Sequence, residues 1–250
     1  MRSTVSSALY LCTSNPIAGK LYEKHGFWYY VGDGLRYLAP QAKDFDRTYL
    51  ADCGPAHVRD VTWADVARIS VLFNHPQPSW LIKDYLTRSF AETRFESHFV
   101  LLMKLIDKQN GVFLALENPL KRVVGAAVIV RKDTFPEQHM ATMSFRVCPE
   151  YMKQAPDLLI AIKEKARELS IKILQIHLTD LDQDQKQLLT ATGFKEEVRL
   201  KDRFYHENKL IDLIIYSFIL PGEVRSSRQQ GEYYGYQKSW QTERVAAPRK

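Results

Sequence analysis

A chain that repeats a strand, a helix, a glycine and an aromatic residue at fixed spacing is committed to building the same local turn twice. Leu21-Tyr22-Glu23-Lys24-His25-Gly26-Phe27 lines up with Leu188-Leu189-Thr190-Ala191-Thr192-Gly193-Phe194, 167 residues further on. The apolar strand ahead of each also aligns, Leu9 and Leu11 against Ile176 and Leu178. A glycine straight after a helix lets the chain leave through the left-handed region without a Cβ clash. The repeat distance is close to the ~100–150 residues of a common single domain. Residues 1–50 therefore read as the closing piece of one domain, and 51–220 as a second domain that ends the same way.

Local signals fill in the units. Ala8–Ser14 is a short apolar strand, and Asn15-Pro16 starts a helix: Asn as N-cap, Pro at the first helical position. That helix stops at Gly26; Phe27–Val31 and Leu35–Leu38 read as strands around a Gly32-Asp33-Gly34 turn. Residues 39–56 carry two prolines, Gly54 and several charges, and read as a linker. Strand His57–Val61 opens the second unit. Thr62 with Asp65 three residues on resembles a capping box, and Val66, Ile69 and Phe73 give the helix that follows a face. A second helix is expected over Trp80–Thr93, whereas periodicity leaves Phe99–Ile106 open between helix and strand. Val112–Leu116 and Val123–Val130 read as a hairpin, then Met140–Val147 as a strand and Leu159, Ile162, Ala166 and Leu169 as one helical face. Strand Ile173–Leu178, helix Asp184–Thr192 and a hairpin of Val198–Tyr205 with Leu210–Leu220 close the unit. Residues 221–250, rich in Ser, Gln and aromatics and poor in aliphatics, read as a flexible tail.

Composition narrows the function classes. Three widely spaced cysteines (Cys12, Cys53, Cys148), with no Cys-x-x-Cys or Cys/His cluster, argue against a disulfide framework or metal site and fit a reducing cytoplasm. No apolar run approaches the ~20 residues of a membrane span. A net charge of +6, spread along the chain, favours an anionic ligand such as a nucleotide cofactor. No nucleic-acid-binding signature accompanies it, so nucleic acid is not an expected partner.

Asn15-x-x-Ala18-x-x-Leu21-Tyr22-x-x-x-Gly26-Phe27 resembles the motif that joins the fifth strand to the last helix in the GNAT superfamily of acyl-CoA N-acyltransferases. The second copy keeps Leu-x-x-x-x-Gly-Phe, Val147-x-Pro149-Glu150-Tyr151 resembles the family's fourth strand entering its cofactor loop, and Phe204-Tyr205 through Ser217 resembles its closing hairpin. The resemblance spans about residues 8–220. It implies an α/β (α+β) fold, a mixed, mostly antiparallel twisted sheet flanked by helices, here preceded by a partial β-α-β-β unit. It also implies acetyl-CoA or another acyl-CoA as co-substrate and an amine of a small molecule or a protein as acceptor.

By the same resemblance, the pantetheine arm lies between splayed fourth and fifth strands, a Gly-rich loop holds the pyrophosphate, a fourth-strand N–H faces the oxyanion, and a tyrosine protonates the departing thiolate. Tyr22 occupies the tyrosine position in the first copy, with packing beneath the hairpin as its structural reading. Asn15 is placed toward the pantetheine there, and as a plain N-cap otherwise. In the second copy Val147, Lys153 and Gln154 are the cofactor-binding candidates. That copy departs from the pattern: Met152-Lys153-Gln154-Ala155-Pro156-Asp157 lacks both loop glycines, Pro156 removes a donor, Asp157 adds negative charge, and Leu189 replaces the tyrosine. Cys148 reads as an inert buried thiol and His177 as a core or edge histidine; Glu117 and Asp212 are the carboxylates nearest an acceptor cleft. Two functions stay open: an N-acyltransferase, or part of a tandem one, working through the first copy; or a non-catalytic GNAT-fold module that scaffolds, binds ligand or dimerises. An unpaired sheet edge in 1–50 would need cover from the second domain or from another chain, as in a homodimer.

Overall fold

The computed structural model describes residues 9–29, 35–38 and 45–221. The Gly32-Asp33-Gly34 turn and nearly all of the 221–250 tail lie outside the described residues.

The first unit holds strand β1 (Leu9–Cys12), helix α1 (Pro16–Lys24) and strands β2 (Trp28–Tyr29) and β3 (Leu35–Leu38). Asn15 Oδ1 accepts the N–H groups of Ile17 (2.9 Å) and Ala18 (3.4 Å), and Gly26 leaves the helix at φ +84°. Both are the roles their positions predict. The three strands pair antiparallel in the order β1-β3-β2.

Within the expected linker, residues 45–50 form helix α2 (Phe45–Leu50). Its stabilisers are remote: Leu50 is buried in the core, and the Arg122 guanidinium caps the carbonyls of Thr48 (2.5 Å) and Tyr49 (3.0 Å) while lying over the Tyr49 ring. Strand β4 (His57–Asp60) follows, then a 3₁₀ turn at Trp63–Asp65 and helix α3 (Val66–Asn74). The capping box forms, with the Thr62 N–H donating to Asp65 at 2.9 Å.

The helix expected over Trp80–Thr93 is instead a hairpin of β5 (Ile82–Asp84) and β6 (Ser89–Phe90). The Asp84 carboxylate turns it by accepting the N–H groups of Leu86 and Thr87 and the Thr87 hydroxyl, the local side-chain competition that disfavours helix. The ambiguous run at 99–106 is helical, within α4 (Glu96–Asp107). The rest follows the sequence reading: β7 (Gly111–Glu117), β8 (Val123–Arg131), β9 (Met140–Val147), α5 (Ala155–Glu168), β10 (Ile173–Thr179), α6 (Gln183–Ala191), β11 (Lys195–His206) and β12 (Lys209–Ile219).

Seven strands form one sheet in the order β11-β12-β10-β9-β8-β7-β4, antiparallel except where β9 meets β10. Every residue of β8 from Val123 to Val130 is buried, so both its faces are covered. The packed pair α3 and α4 contacts one face, and α5 the other. The result is a mixed, mostly antiparallel sheet flanked by helices.

Candidate functional site

The one parallel junction is also where the sheet opens. Strands β9 and β10 pair only from Met140/Ile173 to Met143/Ile176, although β9 continues to Val147 and β10 to Thr179. The Cys148 N–H bonds to the Val124 carbonyl of the β8 side at 2.8 Å. Alternation along an antiparallel pair then turns the N–H groups of Phe145 and Val147 toward the gap before β10. Val147 thus stands at the gap, with its side chain fully buried.

Beyond β9 the chain enters a 3₁₀ turn, Pro149–Gln154, that runs straight into α5. The turn is shut from behind. Tyr151 is fully buried; its hydroxyl accepts the Cys53 N–H (3.0 Å) and the Asn118 amide (3.2 Å) and reaches the Ala51 carbonyl (3.2 Å). Gln154 Oε1 accepts the Ala56 N–H at 2.8 Å, so its amide serves the 51–56 segment. Lys153 is exposed. The Ala155 N–H bonds to the Met152 carbonyl, Pro156 has none, and the exposed Asp157 carboxylate sits in the first turn of α5. A pyrophosphate needs free N–H donors and positive potential at such a helix start. With the Ala155 donor used, Pro156 lacking one and Asp157 offsetting the exposed Lys153, these residues fit the group poorly.

The other candidates are placed as follows. Leu189 is fully buried. Cys148 is buried, which pushes its thiol pKa far above the ordinary value. Glu117 is held by Arg59 (2.7 Å), Lys121 (3.2 Å) and His57 (3.7 Å) at the β4/β7 edge. Burial raises the pKa of Asp65, but the bidentate Arg59 guanidinium and the Thr62 N–H outweigh it and hold the carboxyl at about 2. Asp212 accepts the Asp202 N–H and pairs with Arg199. Both Glu117 and Asp212 are thus engaged in ion pairs. His177 stacks on Tyr85 (ring centroids 3.9 Å apart), and burial, aided by the Lys132 charge, lowers its pKa to about 4. Tyr205 donates to Asn208 across the closing turn.

In the first unit Asn15 and Tyr22 lie on one helix, Asn15 exposed and Tyr22 half-buried with its ring 5.6 Å from Phe27. Sequence reasoning missed the neighbour that ties this unit down. Tyr10 donates to Glu96 and accepts the Asn74 amide at 3.1 Å, so β1 is anchored to α3 and α4. A polar residue alternating with Leu9 and Leu11 was the only signal available. A cavity of about 650 Å³ opens between the β5–β6 hairpin and the sheet, lined by residues that include Tyr85, Phe90, Val130, Thr142, His177 and Phe204. Among the described residues no group of three or more His, Cys, Asp or Glu could hold a metal ion, and no helix is long and apolar enough to cross a membrane.

No protein-family model matches the sequence, and no curated protein does. Solved structures do match in fold. A GNAT-superfamily phosphinothricin acetyltransferase from Sinorhizobium meliloti, in complex with AcCoA, superposes with a TM-score of 0.60 at 15% identity, over 72% of this chain and 96% of that one. A ribosomal-protein-alanine N-acetyltransferase from Brucella melitensis gives 0.56 at 20%, over 66% and 99%. An N-acetyltransferase from Staphylococcus aureus gives 0.57 at 16%, over 67% and 100%. The fold is that of GNAT acetyltransferases.

Proposed function

We propose that residues 51–220 are a non-catalytic GNAT-fold module, and that the β1–α1–β2–β3 unit it holds belongs to an acyl-CoA-dependent N-acyltransferase of tandem design. The acceptor would be an amine of a small molecule or a protein. The observation that carries this reading is the closed turn: Tyr151 and Gln154 spend on residues 51–56 the positions that would otherwise face a pyrophosphate. The first unit keeps the other half of the pattern, with Asn15 at the helix start and Tyr22 two turns on, and Tyr22 is the proton donor assigned to it. Tyr10 supports a holding role for the second domain, because its hydroxyl is built into α3 and α4.

Calorimetry with acetyl-CoA on the full chain tests the module. No saturable heat is expected from residues 51–220. Micromolar binding that disappears in Lys153→Ala or Gln154→Ala would sink the reading. In any preparation that transfers acetyl groups, Tyr22→Phe should lower kcat by ~10²–10⁴-fold, the usual worth of a positioned acid, with the fold unchanged by circular dichroism.

A further inference from the structure

We infer that the gap between β9 and β10, the place of the pantetheine arm in this fold, is closed by the chain's own segment Trp80–Tyr85, with the Trp80 ring in the gap and Asp84 and Tyr85 laid across its α3 face. The segment is fastened to both strands just past their last paired residues. On the β9 side, Trp80 packs edge-on against Phe145 at 5.1 Å, and Asp84 accepts the Ser144 hydroxyl at 2.8 Å. On the β10 side, the Leu81 N–H donates to Asp182 at 3.2 Å, and Tyr85 stacks on His177. Asp182 accepts in turn the N–H and hydroxyl of Thr179, the last residue of β10, both at 2.8 Å.

Side-chain alternation locates the plug. The Arg146 guanidinium bonds to the carbonyls of Leu72 and His75, so Arg146 faces α3, and its neighbour Phe145 faces the opposite side of the sheet. Trp80 follows α3 in the chain, yet its ring meets Phe145. It reaches that ring through the opening between the strands. Trp80, Leu81, Ile82, Lys83 and Asp84 are all buried, so the segment is core rather than a surface lid. The inference rests on the reading of 51–220 as non-catalytic only in that both leave acyl-CoA no room here.

Hydrogen exchange on the full chain, with and without millimolar acetyl-CoA, tests the plug directly. The amides of Leu81 and Asp84 should exchange at least ~10³-fold more slowly than in the unfolded chain, the protection of globally unfolding core, and acetyl-CoA should not change them. Trp80→Ala should open a cavity that indole fills, so that millimolar indole raises its Tm and leaves that of the wild type alone. Trp80→Phe keeps a ring in the gap and should show no indole response. If Trp80→Ala does not fold, the exchange data on the wild type decide. Fast exchange at 80–84 without acetyl-CoA binding would overturn the plug and leave the non-catalytic reading standing. Acetyl-CoA binding with 80–84 still protected would do the reverse. Exchange accelerated by acetyl-CoA would overturn both, by making the segment a displaceable lid.

Discussion

Residues 9–38 and 173–219 are two runs of the same construction kept in different company. Each is strand, helix, strand, strand, with the last strand between the other two, and each helix exits through a glycine with φ near +85° (84° and 89°). Burial then separates them. Leu9 is 58% exposed where Ile176 is 2%, and Phe27 is half-buried where Phe194 is 1% exposed. The β10 unit has β9 beside its first strand; among the described residues β1 pairs with β3 alone. The capping position shows the same divergence. Asn15 caps its own helix in the open, whereas its counterpart Asp182 is buried and turns to Thr179 and Leu81. Local sequence decides the topology of such a unit, and its neighbours decide what each position is worth.

The comparison can be broken at three points. The largest effect is expected at the aromatic after the glycine. Phe194→Ala should cost about 3–5 kcal/mol, as for a fully packed core ring, and Phe27→Ala well under half of that, read from urea unfolding of the two variants. Equal losses would mean that the first unit is as fully packed as the second. At the capping position, Asp182→Ala should cost about 3 kcal/mol, because it strands the buried Leu81 and Thr179 donors. Asn15→Ala should cost about 1 kcal/mol, the ordinary value of an N-cap.

The smallest effect is a pH dependence at His177. Its folded pKa of about 4 lies below the 6.5 of the free side chain, so between those values the unfolded chain binds the extra proton. Stability should fall as pH drops from about 6.5 to about 4, and His177→Phe should remove that slope while keeping the stack on Tyr85. A slope unchanged in the variant would assign it to other groups.

What could be read in the sequence was what a few adjacent residues determine. The Asn15-Pro16 start, the Thr62–Asp65 box, the two glycine exits and the β7–β8 hairpin all formed where local chemistry placed them. What could not be read depended on partners far along the chain. Helix α2 rests on Arg122, more than seventy residues away, and the Trp80 segment left its helical pattern for contacts with β9 and β10. The site followed the same rule. Missing glycines were visible as letters, but the closing of the turn by Tyr151 onto Cys53 and Asn118 needed three separate stretches brought together.

The Tyr10 anchor carries a thermodynamic consequence. Its hydroxyl shares Asn74 and Glu96, and the other end of the Asn74 amide accepts Lys83 Nζ at 3.2 Å, a residue of the segment that fills the gap. Burial, with Arg146 nearby, lowers the Lys83 pKa to about 7, so the chain from β1 to the plug ends on a cation near the point of losing its proton. Sites joined through a common network are coupled reciprocally: free energy that one end spends on the other is returned in equal measure. Tyr10 of β1 and Lys83 of the Trp80–Tyr85 segment thus share one buried polar network through Asn74, and any coupling between the two ends would be equal in both directions.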